Sequence, residues 1–512
     1  MTQVPGARYL TVQEQVGPED IVAGPRAHGS FIAWRVHMEY EGVIGLEVHA
    51  ELKTETKLFC GCSTKFGSPP NTQTCPVCLG LPGVLPVINE KALQFAVKVG
   101  LALGSKISAF SKFDRKNYFY PDLPKNFQIS QYDKPLCEGG ALEFACDGQL
   151  RKVGLIRVHL EEEAGKLIHF DDGESGVDFN RVGIPLLEIV SKPEIQTPDE
   201  AYDYLIGLKQ LLQYLDVSDC NMEEGSLRCD ANVSVRPKGS EKLWTQTEVK
   251  NMNSFSAVRR ALAFEIERQI EVVESGGRVI RETRRWEPET QTTSPMRSKE
   301  EAHDYRYFPE PDLVPFVLEK DWIDKVRATI PELPVARKKR FMAEFGLSEY
   351  DAGVLTSQKD YADYFEECTR LYENYKADCN WVMGAVLREL NDRKITLDAL
   401  PISPKMLTDM VRMVDEGKIT STIAKTVFAE MAQTGKPPEQ IIREQNLLPV
   451  TDSVEIEQMV EKVIAENPKP VEEFRAGKGK ALGFLMGQVM RVAKGKADPQ
   501  VVNRILMEKL KK

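Results

Sequence analysis

An α+β chain is expected: a mixed α/β region carrying a cysteine knuckle, then an all-helical region and a small helical tail. Three observations point there. Short runs of period-two alternation recur up to about residue 322, runs of helical period dominate beyond it, and four cysteines cluster early in the first region. The 512 residues leave room for two to four domains at roughly 100–200 residues each.

The boundaries expected from these changes of pattern are as follows. Residues 1–38 form a polar N-terminal extension or a start placed too early, because Met38 directly precedes the first patterned strand. Residues 39–322 form the mixed region, 323–445 the helical region and 446–512 the tail. In the first strand Leu46, Val48, Ala50 and Leu52 share one face, while Glu47, His49 and Glu51 share the other. Ile156–Glu161 repeats that arrangement with Arg157, His159 and Glu161 on its polar face, and Asn232–Arg236 alternates again. Helices are expected at Glu90–Leu103, Pro198–Leu215 and Phe255–Glu274. Further on they are expected at Pro334–Glu344, Tyr361–Tyr375, Asn380–Leu390, Lys418–Ala432, Val454–Glu466, Glu472–Ala493 and Pro499–Leu510. Ser403 reads as an N-cap with Pro404 at the first helical position.

Composition narrows the class. Hydrophobic residues make up 42% and charged residues 28%, ordinary values for a soluble chain, and no apolar run approaches the ~20 residues of a membrane helix. The first 35 residues lack a basic and then apolar leader pattern and carry Glu14, Glu19 and Asp20, so a cytoplasmic location is expected. A net charge of −10 argues against a nonspecific DNA coat. Yet Lys478 to Lys512 holds nine basic and two acidic residues, a local basic surface of the kind phosphate binding needs.

Ten cysteines over this length do not make a secreted disulfide framework. Cys60-Gly61-Cys62 and Cys75-Pro76-Val77-Cys78 instead form two short arms whose thiolates suit a closed tetrahedral Zn²⁺ site, structural rather than catalytic. Four buried cysteines without metal are the plainer alternative.

Glu47-x-His49 and His159-Leu160-Glu161-Glu162-Glu163 place several acids and imidazoles in strand context, where acids are poor strand formers and repel one another. A divalent cation such as Mg²⁺ would remove that repulsion, and Glu188, inside an apolar run, could join from a neighbouring strand. A solvated sheet face is the alternative. Glu223–Asn232 and Glu248–Ser254 mix acid, base and amide, which makes Arg228 and Lys250 candidates for nucleotide phosphates. Phe113–Pro121 interleaves basic and aromatic residues and adds Arg115 and Lys116, although a packed loop has the same composition. No P-loop string, no protein-kinase string and no amidase nucleophile segment is present, so an ATP site here would be of another kind and ammonia would come from elsewhere.

Several long strings carry a resemblance. Val43–Leu52, Cys75–Val87 (CPVCLGLPGVLPV), Phe113–Tyr132 (FDRKNYFYPDLPKNFQISQY), Val158–Lys166, Asn180–Pro193, Met222–Arg236 and Asp304–Asp312 (DYRYFPEPD) are similar to the B subunits of the aspartyl/glutamyl-tRNA amidotransferase family. The likeness runs from about Glu39 to the C-terminus. It implies a mixed α/β cradle domain with a zinc knuckle and a kinase-like site, a helical domain and a small tail domain. It implies ATP-dependent phosphorylation of the side-chain carboxylate of Glu-tRNA(Gln) or Asp-tRNA(Asn), followed by amidation. The resemblance implies Mg²⁺ ligands at Glu47, His49, Glu162 and Glu188, with Glu161 alongside as a catalytic residue. Lys116 is implied near the transferred phosphoryl group. The zinc cysteines occur in only part of the family, and Glu163 stands where similar proteins often have Asp. Implied partners are an amidase (A) subunit and a small C subunit in a heterotrimer, with misacylated tRNA as substrate and no membrane or DNA. The tail residues Lys478, Lys480, Arg491, Lys494 and Lys496, set among glycines, are the expected tRNA contacts, with a solvated basic helix as the alternative. Two other readings fit the residues: a noncatalytic RNA-binding module, and a free-standing ligase acting on a small acid.

Overall fold

A computed structural model describes residues 39–170, 172–296, 305–447, 453–476, 478–493, 497 and 499–510. The expected extension at 1–38 lies outside the described residues. A ten-stranded sheet dominates the first region. Its path runs Thr292–Pro295, Thr283–Glu287, Thr247–Lys250, Leu227–Pro237, Tyr40–Glu51, Pro185–Ser191, Gln149–Glu162, Cys137–Glu138 and Lys106–Ile107, with Ala141–Cys146 paired beside the long strand Gln149–Glu162. The pairings are antiparallel except that of Thr247–Lys250 with Thr283–Glu287.

The alternation in the first strand decides which face of this sheet is dry. Leu46, Val48 and Ala50 are each 1% exposed or less, whereas Glu47 and His49 on the other face keep some solvent access. Helices Glu90–Ala102, Pro198–Tyr214 and Phe255–Glu274 contribute Val97, Leu208 and Ala261 to the same apolar cluster. The second and third are capped by Thr197 and Ser254, whose hydroxyls accept from Glu200 N and Ala257 N. One face of the sheet is therefore fixed by burial, which leaves the other face free to carry charge.

From Lys320 onward the regular elements among the described residues are all helical, as the fold class anticipates. Among the described residues the apolar interior forms three clusters, the second between Phe341 and Ile442 and the third between Ile456 and Leu510. Helix Lys320–Arg327 buries Val326 against the first cluster, so its packing belongs with the sheet. Tyr214 Oη and Gln210 Nε2 both donate to Thr356 O and so tie helix Pro198–Tyr214 to the helical region. Ser403 caps helix Pro404–Asp415 by accepting from Met406 N.

Three expected helices are divided differently. Tyr361–Tyr375 becomes Lys359–Leu371 and Tyr375–Trp381, because Tyr372 is extended and Asn374 caps a new start. Asn380–Leu390 contains a π-helical turn at Val382–Val386. Glu472–Ala493 is two helices, Pro468–Arg475 and Lys480–Val492, split at a glycine-containing stretch.

Asp378 is fully buried in the second cluster, and neither of its carboxylate oxygens has a hydrogen-bond partner among the described residues. Burial, reinforced by the charge of Asp415, pushes its pKa up to about 7. A carboxyl group raised in the fold is neutral in both states below its unfolded value. It costs progressively more between there and pH 7, and the full amount above. Asp378→Asn should therefore stabilise the protein by about 1–3 kcal/mol at pH 8 and by little at pH 4. Urea unfolding at the two pH values measures it, and equal effects at both would reject the buried ionisation.

Candidate active site

The charged face of the sheet is a grid set by strand register. His49 lies opposite Glu188 and also opposite Arg228, and Glu188 lies opposite His159. Arg228, His49, Glu188 and His159 thus form one row across four neighbouring strands. The next row holds Asp230, Glu47, Val190 and Arg157, and beyond the first row on its other side Glu51, Leu186 and Glu161 align. Residues directly opposite one another share a face, so the register alone gathers these side chains.

His49 Nε2 lies 3.4 Å from Glu188 Oε2, 3.5 Å from Glu161 Oε1 and 3.7 Å from Glu47 Oε1. His159 Nε2 lies 3.4 Å from the same Glu188 oxygen and 3.9 Å from Glu161 Oε2. Two triads, Glu47–His49–Glu188 and His159–Glu161–Glu188, each keep one ligand atom per residue within 4.8 Å of the others, and they share Glu188. The donor set fits a divalent cation: three carboxylates suit Mg²⁺, and two imidazoles extend the acceptable ions to Mn²⁺.

Burial, with the charge of Glu188 behind it, raises Glu47 to about 7. Burial pulls His49 down, but its hydrogen bond to Glu188 and the charges of Glu161 and Glu188 outweigh that and hold it at about 9. Burial pushes Glu188 up, and the neighbouring His159 and His49 reverse this and leave it well below the usual carboxylate range. Full burial lowers His159.

Lys116 approaches from a small sheet made of Phe308–Pro309, Asp114–Asn117 and Phe127–Ser130. That sheet is docked beside the long strand by Ser130 Oγ donating to Glu161 Oε2 at 3.2 Å and Gln131 Oε1 accepting from Leu160 N at 3.1 Å. The Lys116 ammonium sits 5.0 Å from the centre of the Tyr305 ring and 5.9 Å from that of Tyr118. Burial lowers its pKa, and Glu161, the nearby tyrosines and Glu188 more than compensate, so it stays charged.

Not every expected residue joins this group. Glu161 does, and so does His159, whose strand position had marked it only as part of a polar face. Glu162 does not: as the neighbour of Glu161 it points to the opposite face, where it pairs with the buried Lys125 and accepts from Ile129 N at 2.9 Å. The same alternation separates Arg115 from Lys116. Arg115 bonds Glu310 at 2.7 and 2.9 Å and stacks 4.1 Å over Phe127, beside Glu162 in a separate cavity of about 250 Å³. Arg228 lies in the His49 row with its guanidinium on Glu163, which also receives Arg181 at 3.1 Å. Lys250 bonds Asp230 at 2.8 Å and Glu248 at 3.0 Å, at the Glu47 edge of the grid. Asp230 was visible only as one acid of the mixed run Glu223–Asn232, and Lys125 and Arg181 were not singled out, because their roles depend on partners distant in the chain.

Cys60, Cys62, Cys75 and Cys78 converge with their sulfurs within 4.8 Å of one another, a fit for a tetrahedral thiolate centre. In the tail, Lys478, Lys480 and Arg491 are exposed, and Lys480 and Arg491 share a face of helix Lys480–Val492, about three turns apart. Lys494 and Lys496 lie outside the described residues. Among the described residues no helix is long and apolar enough to cross a membrane.

Comparison with known proteins adds family to geometry. The model of the GatB/GatE catalytic domain matches residues 42–324, the part that holds the sheet and its charged face, and that of the GatB domain matches residues 363–510. The B subunit of the aspartyl/glutamyl-tRNA(Asn/Gln) amidotransferase from Carboxydothermus hydrogenoformans is 57% identical over 478 residues, covering 93% of this chain and 99% of the relative. The corresponding protein from Thermoanaerobacter sp. is 56% identical over 93% of this chain and its own full length, and that from Geobacter sulfurreducens is 54% identical over the same shares. Identity of this depth over nearly the whole length of both chains places the protein in the B subunit family of the aspartyl/glutamyl-tRNA amidotransferases.

Proposed function

We propose that this chain uses ATP to activate the side-chain carboxylate of glutamate or aspartate misacylated onto tRNA. The activated group is then amidated by ammonia that an amidase partner releases from glutamine. The observation that carries this reading is the Arg228–His49–Glu188–His159 row with Lys116 above it, inside the segment that matches the catalytic family model. The partners are an amidase subunit and a small third subunit, in a cytoplasmic heterotrimer. The working parts are a cradle that runs from residue 39 through helix Lys320–Arg327, a helical segment up to residue 445 and a tail (446–512).

A carboxylate resists attack because resonance and charge protect its carbon. Phosphorylation by the γ-phosphoryl group of ATP gives an acyl phosphate with a good leaving group, and that step needs chiefly positioning and charge neutralisation. Glu47, His49, Glu161 and Glu188, with His159, would hold Mg²⁺, which would supply neutralisation of phosphate charge. Lys116 brings a positive charge to the same face and stabilises the transferred group. Arg228 and Lys250 flank the grid and orient phosphates. Glu163 and Arg181 fix Arg228 so that it need not be ordered during the reaction. Glu162 and Arg115 support the fold on the reverse side. The four cysteines would hold a structural Zn²⁺, closed to water and so separate from the chemistry.

The deciding experiment is ATP turnover by the native complex, isolated through this chain and supplied with glutamine. It is run with Glu-tRNA(Gln), Asp-tRNA(Asn) or uncharged tRNA. ADP formation that requires a misacylated tRNA and yields its amide establishes the function and names the substrate. tRNA binding without such turnover would leave an RNA-delivery module as the better account.

The exposed cations of the tail are assigned to tRNA. Replacing Lys478, Lys480 and Arg491 together by glutamate should raise the KM for tRNA about tenfold and flatten its salt dependence, with kcat little changed. An unaltered KM at several salt concentrations would remove the tail from tRNA binding.

A further inference from the structure

Lys57 is among the most deeply buried large side chains of the protein, only 1% exposed. A buried ammonium is costly unless its protons are bonded and its charge is matched. Its hydrogen-bond needs are met: Nζ donates to Gln73 O at 2.7 Å, to Phe179 O at 3.4 Å and to Cys78 Sγ at 3.8 Å. Its charge is not met by a carboxylate, for among the described residues it forms no ion pair. Glu162, which lines the same cavity, is engaged by Lys125. The anionic partner left to it is the cysteine centre. Four thiolates around a divalent cation carry two negative charges in excess, and on the side of the centre that is buried, at Cys78, a nearby cation is needed for the same reason that Lys57 needs an anion.

The contacts of Lys57 also join separate pieces of chain. Its own N–H donates to Cys62 O at 3.0 Å. Gln73 belongs to the loop between the two cysteine pairs, and its N–H donates to Asn180 Oδ1 at 2.8 Å. Phe179 and Asn180 open the turn that leads into strand Pro185–Ser191, the strand of Glu188.

We propose that Lys57 is the buried counter-ion of the four-cysteine centre, a positioning residue that balances its charge and fastens it to the turn preceding the Glu188 strand. This rests on the reading that the centre holds zinc. The test uses the full chain in its native complex, as wild type and as Lys57→Met, which keeps the length of the side chain and removes its charge. Zinc content and competition against a chelator are measured first. The charge-transfer band of the cobalt-substituted protein is measured second. The expected result is stoichiometric zinc in the wild type and about tenfold weaker retention in the variant. The cobalt band should shift to longer wavelength, because a sulfur without its N–H donor and nearby charge gives up an electron more easily. A wild type that binds neither zinc nor cobalt defeats the zinc reading itself. A wild type that binds both, with a variant unchanged in affinity and in band position, overturns the role of Lys57 alone. Should the variant fail to assemble, acylation of the wild-type lysines decides. Lys57 shielded in the loaded protein and modified once a chelator has emptied the centre supports the proposal. Equal shielding in both states overturns it.

Discussion

Replacing Glu188 by glutamine should reduce conversion of misacylated tRNA to its amide about a thousandfold or more, with tRNA affinity and the partner's glutamine hydrolysis preserved. Among the described residues no other is shared by both ligand triads. Its Oε2 lies 3.4 Å from each imidazole, and its Oε1 lies 3.5 Å from Arg157 Nη2. Glutamine has the same shape, so the sheet need not move, but it removes the charge that both histidines and a bound cation would use. Single-turnover amide formation with pre-bound tRNA separates this loss from weakened binding. Activity within tenfold of wild type would show that the row is architecture and not a site. Glu161→Gln should behave in the same way, because its carboxylate contacts both His49 and His159.

Glu162→Gln should produce the opposite pattern: a loss of stability of about 3–5 kcal/mol with the chemistry of the folded protein nearly intact. Glu162 is 2% exposed, and its partner Lys125 has a side chain only 7% exposed, so neutralising the acid strands an ammonium in the interior. Lys125→Met should cost a similar amount by stranding the acid instead. The double variant Lys125→Met/Glu162→Gln should recover most of the loss, since neither charge is then left alone. Urea unfolding gives the stabilities, and kcat per folded molecule gives the activity. If Glu162→Gln proved fully stable and inactive, Glu162 would belong with the acid cluster after all.

The two experiments also separate what is local in this sequence from what is not. Period-two alternation is written in adjacent residues. It correctly sorted Leu46, Val48 and Ala50 from Glu47, His49 and Glu51, and it placed Arg157, His159 and Glu161 together. The same rule, carried one residue further, excludes Glu162 from that face and separates Arg115 from Lys116. The resemblance named Glu162 as well, and its carboxylate lies with Lys125 on the other side of the strand. Helix starts were legible wherever a cap stood at the right place, as at Ser403, and helix interruptions were not, because Tyr372 and the glycine-containing break after Arg475 act through backbone conformation.

By itself, then, the sequence determined the class of fold, the family, the cysteine quartet and the residue types on the charged face. Tertiary structure alone decided their assembly. Arg228, His49, Glu188 and His159 come from four strands far apart in the chain, and only hydrogen-bond register makes them neighbours. Arg115 meets Glu310 across 195 residues, and Lys57 finds Phe179 across 122. Alternation repeats every two residues and leaves its trace in any short window. Register is set by the summed burial and pairing of whole strands, so no short window contains it.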